Sequence, residues 1–569
     1  MKKYLYNLLL TFSFQAVLGQ VTLSTDFSDE SMRGERLYDV WQVANDISPS
    51  YLGKDDEPQI RADLKMNCIR LSGGIKTGRE RNLNYDMVKW NVDRQVYEYD
   101  FQRLLRVIDK AHEHGDEIYQ LVLDNVPWCF QRGFTFVSLD KNSYDGLHFR
   151  EFEAVEQYGN ALPPDNMDAY GDYIEALITT LVDRYGKEQV KNWRFRIGSE
   201  IESPGHWKGS ADDFVNYLDI SMSAIKNVLP EAHVGIHTRE PNYVAVSHKG
   251  LNYKGEKFVS FHNKILEHCY NNNIQLDSWG LSYYIQFDQE GRFNTDETWY
   301  DEFVSPLVNH PKWNTNTEIN LEEFKATASF KGPDSSRVTL KSGTSHGEVA
   351  HIALANLFYQ HSELNQIHRW LQYKNTIDGI ANRELLSMVG KTRYKTKSGG
   401  SLINANNQLD AIFAKAEGTN IYEILIYNYN GTSTTYETPE KIDLSFVTRF
   451  PPGTKFKYRS SYYSNSHNKL QSFVAEPDFQ ESWYIEGITK GQKMGEANRV
   501  LKKDIYDSLY KSYQGHEEYK FSKWKNVTAK PSPDDSQTGS IITIKTELHS
   551  FAFRKFEIVP TNKSQHKNK

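Results

Sequence analysis

The chain has 569 residues, more than one compact core usually accommodates, and its 38% hydrophobic and 25% charged content is ordinary for a soluble globular protein. We therefore expect two folded domains. The formal net charge of −7 argues against nucleic acid as the main partner, because nucleic-acid binding relies on basic surfaces.

The first 19 residues have the character of a signal peptide. Lys2 and Lys3 precede an apolar segment at 8–14 that is too short to span a bilayer, and Gly19 is a small residue ahead of a predicted cleavage before Gln20. We expect an exported protein, periplasmic or secreted, that does not insert into a membrane.

The chain contains only three cysteines, Cys68, Cys129 and Cys269. They are too few for a disulfide scaffold, and their spacing matches no metal site. At most one disulfide is possible, and we favour buried free thiols and no bound metal.

Up to about residue 395, short apolar segments alternate with segments of helical periodicity. The predicted strands are 67–71, 117–124, 193–198, 233–237, 276–282 and 368–373, and the predicted helices are 102–114, 168–185 and 212–229. This alternation implies a parallel sheet with right-handed crossovers, and its length favours a (β/α)8 TIM barrel over an open doubly wound sheet. No glycine-rich phosphate loop follows the early strands, which weakens a nucleotide-binding alternative.

After Ser398-Gly-Gly400 the helical periodicity mostly disappears. Strand-like segments follow at 421–427, 456–459, 541–546 and 551–558, which predicts an antiparallel β-sandwich with a helical insert near 490–512. We therefore expect a signal peptide at 1–19, the barrel at 20–395, the sandwich at 396–560 and a disordered tail at 561–569.

Two glutamates stand in strand-like segments of the barrel half. Glu200 follows the segment that begins at Trp193, and Glu318 lies in Asn316-Thr-Glu-Ile-Asn320, which we interpret as the end of another strand. Catalytic groups of TIM barrels lie at strand ends, and two carboxylates from two strands are what glycoside hydrolysis needs. Each glutamate alone is better explained as a surface or salt-bridged carboxylate, and it is the pair that favours catalysis.

Several segments in the same order resemble glycoside hydrolase family 39, the group of β-xylosidases and α-L-iduronidases. Residues 64–73 look like its second strand, 99–127 like its third unit, 185–200 like its fourth strand with the acid/base, and 317–320 like its Thr-Glu-Trp-Asn nucleophile motif. Residues 451–453 and 463–468 resemble part of its sandwich domain. The resemblance extends over most of the mature length.

The resemblance implies a retaining mechanism that needs no cofactor. Glu200 would act as acid and then as base, and Glu318 would attack the anomeric carbon. Retention requires the two carboxyl groups to lie about 5–5.5 Å apart. Arg70 is then expected beside Glu318, where its guanidinium would hold the carboxylate ionised.

The sequence departs from the family pattern at several positions. Ser199 replaces the Asn that usually donates to the sugar 2-hydroxyl, Ile201 replaces a Pro, and Ser72 and Ser282 replace two histidines, whereas Tyr284 is retained. These departures favour an unusual sugar, or a scaffold that binds glycans without cleaving them.

Aromatic residues make up 13% of the chain, and some of them are candidates for substrate binding. Trp128, Trp207 and Trp370 follow or lie on predicted strands and could stack on sugar rings, with core packing as an equal alternative. Asn125 and Tyr284 could bind sugar hydroxyls, with loop capping or core packing as the alternative.

Three charged residues near the predicted site have other expected roles. Arg196 has the strand parity of Glu200, so we expect it to point into the barrel and form a structural ion pair. Glu202 is a rival acid but lies beyond the strand. Arg239 could meet a carboxylate or sulfate on the substrate, although a loop salt bridge is favoured.

The sequence therefore predicts an exported, retaining exo-glycosidase. Its substrate would be an oligosaccharide from a polysaccharide, with a terminal xyloside or a uronide-like sugar. The alternative is a non-catalytic glycan-binding protein on a glycosidase scaffold. An esterase or lyase is less favoured, since there is no Gly-x-Ser-x-Gly turn and no clear metal cluster.

Overall fold

The structure of the protein is a computed structural model. It describes residues 20–38, 40–44, 66–72, 76–77, 80–81, 86–113, 120–131, 160–241, 252, 254–257, 259–287, 299–328, 345–370, 380–405, 407–430, 438–467, 519–532 and 539–561. The predicted signal peptide, the helix expected near 490–512 and the C-terminal tail lie outside these residues. The described residues fall into two units, one within 36–390 and the other formed by 20–35, 391–467 and 519–561.

The strands of the described residues belong to both units and are numbered in chain order. They are β1 (Gln20–Asp26), β2 (Arg33–Arg36), β3 (Val40–Ala44), β4 (Met66–Ser72), β5 (Lys76–Thr77), β6 (Glu80–Arg81), β7 (Val88–Asn91), β8 (Val96–Tyr99), β9 (Gln120–Asp124), β10 (Arg194–Ile197), β11 (His233–His237), β12 (Ser278–Phe287), β13 (Glu318–Ala328), β14 (Leu364–Trp370), β15 (Thr392–Tyr394), β16 (Lys397–Gly400), β17 (Asn407–Lys415), β18 (Tyr422–Asn430), β19 (Glu440–Thr448), β20 (Lys455–Tyr463), β21 (Lys525–Thr528), β22 (Lys530–Pro531), β23 (Ser540–Leu548) and β24 (Ala552–Pro560).

The α-helices of the described residues all lie in the first unit. They are α1 (Gln102–Glu113), α2 (Met167–Tyr185), α3 (Lys187–Val190), α4 (Ala211–Val228), α5 (Phe261–Asn271), α6 (Ser305–Val308), α7 (Ser345–Phe358) and α8 (Ile380–Leu386). None of these helices combines the length and apolar character that crossing a membrane requires.

Eight strands close into a parallel barrel in the order β3–β4–β9–β10–β11–β12–β13–β14, with β14 pairing back to β3. From β4 onwards, at least one described helix lies between each barrel strand and the next, as parallel pairing requires. The structure confirms the predicted (β/α)8 barrel.

Local signals in the sequence explain where the two longest helices begin and end. The Asn166 side chain caps α2 by accepting from the backbone N–H of Ala169, and Gly186, at a φ of 85°, ends it. Ser210 and Asp213 form a reciprocal capping box at the start of α4. These caps place the helices so that their apolar stripes cover the strands.

The second unit is a sandwich of two mainly antiparallel sheets. One sheet has the order β16–β1–β19–β23–β22 and the other β2–β15–β17–β18–β24–β20–β21. Every residue of β18 is buried, as expected for a central strand. The structure confirms the predicted sandwich.

The first described strand belongs to the sandwich and not to the barrel, although the sequence placed residues 20–395 in the barrel. β1 pairs parallel with β19 and antiparallel with β16. Phe27 follows it into the sandwich core, with ring centroids 4.7 Å from Tyr394 and Tyr422 and 5.4 Å from Phe446. Burying a Phe side chain contributes roughly 1.5–3 kcal/mol, which anchors this segment.

Candidate active site

At the amino end of the barrel, Glu318 is held by basic residues. It begins β13, forms an ion pair with Arg194, and lies 4.0 Å from Nε2 of His233. Arg194 and His233 are the first residues of β10 and β11, whereas Glu200 follows the carboxyl end of β10. The structure therefore separates Glu318 from Glu200, because Glu318 starts its strand and does not end it.

Deeper in the barrel lies a buried polar cluster. Arg196 Nη1 donates to Glu322 Oε2 at 2.9 Å, Gln120 Nε2 donates to the same oxygen at 2.6 Å, and His368 Nε2 lies 3.7 Å from it. Burial raises the pKa of Glu322, but the neighbouring His368 and Arg196 and the Gln120 amide outweigh this effect, so its pKa lies below the ordinary value. The predicted inward direction of Arg196 and its structural ion pair are confirmed.

A β-bulge in β13 turns two consecutive glutamates towards the barrel interior. Leu281 pairs with Leu321 and Ser282 pairs with Glu323, which leaves Glu322 as the extra residue. In a regular strand successive side chains point to opposite faces. Because the bulge interrupts this alternation, Glu322 reaches the buried cluster and Glu323 reaches the next level towards the carboxyl end.

Glu323 is the carboxylate that the structure brings beside the Glu200 turn. Tyr284 Oη donates to its Oε2 at 2.6 Å, and Ser199 Oγ donates to its Oε1 at 3.5 Å. Ser199 directly precedes Glu200, so the two glutamates belong to the same end of the barrel.

Glu323 was not among the residues predicted from the sequence, although a signal for it was present. The family motif that suggested Glu318 has an aromatic residue after its glutamate. Phe324 follows Glu323, whereas Ile319 follows Glu318. The aromatic neighbour therefore distinguishes the two candidates.

A strained turn presents Glu200. Gly198 has a φ of 74° and Glu200 a φ of 41°, in the left-handed region that side-chain-bearing residues seldom adopt. The turn is held by bonds from the Ile201 N–H to the His237 carbonyl at 3.3 Å and from the Ser203 N–H to the Glu200 carbonyl at 2.7 Å. Such strain persists where surrounding contacts enforce it, as is common at functional sites.

The rival acid Glu202 ties two loops together. Its carboxylate accepts the backbone N–H of Arg239 at 3.0 and 2.8 Å and that of Glu240 at 3.3 Å. Burial raises the pKa of Glu202 to about 8, although these hydrogen bonds act in the opposite direction. Its contacts make it an anchor for the segment after β11, whose Arg239 side chain is exposed.

Three predicted substrate-binding residues are packed into the structure. Trp128 is buried, and its backbone N–H donates to Asp86. Trp207 is 4% exposed, and its indole N–H donates to the Ser210 carbonyl at 3.2 Å. Asn125, at a φ of 55°, donates to the Asn160 carbonyl at 3.4 Å. Little ring face remains for a sugar on either tryptophan, so the structure favours the packing alternative.

Arg70 and Trp370 lie on barrel strands. Arg70 is in β4 opposite Val122, and Trp370 is in β14 opposite Val43. Their side chains lie outside what the structure describes.

Within the described ranges, no group of three or more His, Cys, Asp or Glu side chains is arranged to hold a metal ion. Among the described residues neither Cys129 nor Cys269 forms a disulfide, and burial raises the pKa of Cys269 to about 12.

A parallel barrel with carboxylates after its fourth strand and on its seventh is an arrangement suited to glycoside hydrolysis. Comparisons with known proteins point in the same direction. The sequence pattern of Glycosyl hydrolases family 39 matches residues 153–310. An α-1,4-L-rhamnosidase from Formosa agariphila is 29% identical over 467 residues, which are 82% of this chain and 88% of the relative. A β-xylosidase from Geobacillus stearothermophilus is 30% identical over 118 residues, which are 18% of this chain and 23% of the relative.

Solved structures show the same fold. A family 39 enzyme from Xanthomonas axonopodis pv. citri has a TM-score of 0.60 and 12% identity, covering 95% of this chain and 97% of its own. A monomeric β-xylosidase from Caulobacter crescentus CB15 has a TM-score of 0.60 and 13% identity, covering 95% and 100%. Together, the partial match to the family pattern, the two relatives and the shared fold support a glycoside hydrolase of the family 39 type, which acts on O-glycosyl bonds.

Proposed function

We propose that the protein is an exported, retaining exo-glycosidase in which Glu200 is the acid/base and Glu323, in place of Glu318, is the nucleophile. The observation that carries this proposal is the position of the Glu323 carboxylate, bound by Tyr284 and Ser199 beside the Glu200 turn. Export rests on the signal-like residues 1–19.

The proposed reaction has two steps. A Glu323 oxygen forms a bond to the anomeric carbon while the bond from that carbon to the leaving oxygen breaks, and Glu200 gives its proton to that oxygen. In the second step Glu200 removes a proton from water, the water oxygen attacks the same carbon, and Glu323 leaves as a carboxylate. Hydrogen bonds to both Glu323 oxygens stabilise the charge that it carries before attack and after release.

We propose a terminal α-L-rhamnoside as the first substrate to test, before a xyloside or a uronide. The rhamnosidase relative covers 82% of this chain, whereas the xylosidase match covers 18%. The Ser199 hydroxyl lies against His237 and Glu323 and is shorter than the usual Asn amide. L-Rhamnose carries its 2-hydroxyl axially and xylose carries it equatorially, so a different group at this position fits a different sugar.

The test compares three glutamine variants on aryl α-L-rhamnosides and aryl β-D-xylosides. Glu323→Gln and Glu200→Gln should each lower kcat/KM by on the order of 10⁴-fold for a substrate that needs both groups. Glu318→Gln is the matched control, since it changes a carboxylate of the same barrel at its opposite end, and it should stay within about tenfold of wild type.

Chemical rescue identifies the nucleophile. Azide should restore turnover to Glu323→Gly and produce a glycosyl azide of inverted configuration, whereas NMR of the wild-type reaction should show retention in the first-formed anomer. Loss of activity in Glu318→Gln together with full activity in Glu323→Gln would overturn the assignment. Cleavage of the xyloside alone would contradict the proposed sugar and leave the mechanism intact.

A further inference from the structure

Beside the proposed nucleophile lies a buried chain of three polar side chains. His237, the last residue of β11, is 0% exposed. Its Nδ1 lies 3.2 Å from Ser199 Oγ and its Nε2 lies 2.8 Å from Ser282 Oγ. Both serines are buried as well, so the imidazole links the β10 turn to β12 across the strand between them.

The two serines occupy the positions at which the family pattern has Asn and His. Both replacements shorten the side chain. His237 lies on the strand that separates the two serines, and each hydroxyl is within hydrogen-bond distance of one of its ring nitrogens. We propose that His237 is a positioning residue, an inference that rests on the proposed function. It directs the Ser199 hydroxyl at the Glu323 carboxylate and so takes over the role of the Asn and His that the family pattern has at the two serine positions.

The positions of the hydrogens follow from the partners. Ser199 has one hydroxyl hydrogen and two neighbours, Glu323 Oε1 at 3.5 Å and His237 Nδ1 at 3.2 Å. If the hydrogen pointed at Nδ1, the oxygen lone pairs would face the carboxylate, which is repulsive. With the proton on Nδ1, the imidazole donates to Ser199 Oγ, and the hydroxyl hydrogen can donate to Glu323.

The other ring nitrogen completes the chain. Nε2 is then an acceptor, and it receives the hydroxyl hydrogen of Ser282. Three hydrogen bonds thus run in one direction, from Ser282 through His237 and Ser199 to Oε1 of Glu323. Aligned bonds of this kind polarise one another, which strengthens a terminal contact that is otherwise long.

His237 also supports the acid/base side of the site. Its backbone carbonyl accepts the N–H of Ile201, the residue after Glu200. Tyr284 holds the second oxygen of Glu323. A single residue therefore contributes to the placement of both proposed catalytic carboxylates, through its side chain on one and its main chain on the other.

Two amide substitutions separate the two ends of the imidazole. In His237→Asn the side-chain amide lies where Nδ1 was and can still donate to Ser199. In His237→Gln the amide lies where Nε2 was and keeps only the Ser282 contact. We expect kcat to fall about 10–100-fold in His237→Gln with little change in KM, and His237→Asn to recover most of that loss.

The pH profile distinguishes positioning from general damage. Loss of the Ser199 donor disfavours the ionised nucleophile, so the acid limb of kcat/KM should move to higher pH in His237→Gln and stay near its wild-type position in His237→Asn. Equal losses in both variants with an unshifted acid limb, in proteins that unfold at the same urea concentration, would overturn the proposal.

A second variant covers the case in which a His237 substitution fails to fold. Ser199→Ala removes only the terminal donor and should reproduce the fall in kcat and the shift of the acid limb. Unchanged kcat and an unshifted limb in Ser199→Ala would refute the proposal. Azide rescue of Glu323→Gly separates this result from failure of the proposed function, because rescue requires the nucleophile assignment alone.

Discussion

Replacing Gly198 by alanine is the sharpest perturbation of the Glu200 turn. Gly198 has a φ of 74°, and a Cβ added there would lie 2.5 Å from Cγ2 of Ile201. Ile201 is itself buried, and its N–H is bonded to the His237 carbonyl. The new methyl group therefore meets a side chain that has little room to move.

Two contributions set the expected loss of stability. An alanine in the left-handed region costs about 1–2 kcal/mol. The contact with Ile201 is too short for carbon atoms and has to be relieved by a shift, and such overpacking costs about 1–3 kcal/mol. We expect the free energy of unfolding to fall by about 2–5 kcal/mol. A shift of Glu200 by about 1 Å would also lower kcat about 100-fold.

A control in the same unit isolates the steric part. Gly255 has a φ of 79°, and an added Cβ would find no atom of the described residues within 4 Å. Gly255→Ala should therefore show only the backbone cost and leave kcat unchanged. Urea unfolding followed by tryptophan fluorescence measures stability, and initial rates on an aryl glycoside measure kcat.

The Ile201→Ala variant completes a double-mutant cycle. Alone it leaves a cavity and costs about 2–5 kcal/mol. Combined with Gly198→Ala it removes the clashing atom, so its cost should be smaller by about 1–3 kcal/mol. Equal stability of Gly198→Ala and Gly255→Ala, with kcat within twofold of wild type in both, would refute the reasoning.

Three further predictions address other contacts. Burial raises the pKa of Glu202 to about 8, against an ordinary value of 4.5. Between these pH values the folded protein keeps a proton that the unfolded chain loses, so the contribution of Glu202 to stability falls as pH rises from 4.5 to 8. Urea midpoints measured across this window should therefore depend less on pH in Glu202→Gln than in wild type. Arg196→Met should lower the free energy of unfolding by about 3–5 kcal/mol because it strands the Glu322 charge, and adding Glu322→Gln should recover most of that loss in the same urea assay. Trp207→Phe should lower the free energy of unfolding by about 1–2 kcal/mol, because it loses the hydrogen bond to the Ser210 carbonyl, and KM should stay within twofold of wild type. A KM raised more than tenfold would show that this tryptophan contacts the substrate.

Much of the barrel was predictable because its signals are local. Helix 168–185 was expected from its apolar spacing and is Met167–Tyr185, and the strand at 233–237 has the expected bounds. Both depend on side chains within a few positions of each other.

The proposed nucleophile was not predictable in the same way. Where β13 begins depends on its pairing with β12 and β14, and the bulge at Glu322 is a property of that pairing. Nothing in the short segment around Glu318 shows that it starts a strand. Position along a strand decides which end of the barrel a carboxylate reaches. Glu318 and Glu323 are five residues apart, and this separation places Glu318 at the amino end and Glu323 towards the carboxyl end.

The place of β1 was hidden for a related reason. Its alternation of buried Val21 and Leu23 with exposed neighbours is that of any half-buried strand. Its partners lie far along the chain, and no local pattern names them.

The membership of β1 in the sandwich also has a consequence for biosynthesis. Gln20 is bonded through its side chain to Asp443, 423 residues further along the chain. Ribosomes release β1 first, but β16 and β19, between which it lies, appear only after the whole barrel has been synthesised. The barrel can begin to fold during translation, whereas this sheet has to wait. A nascent chain stalled before β16 would leave the backbone groups on both edges of β1 open to strand pairing with other molecules.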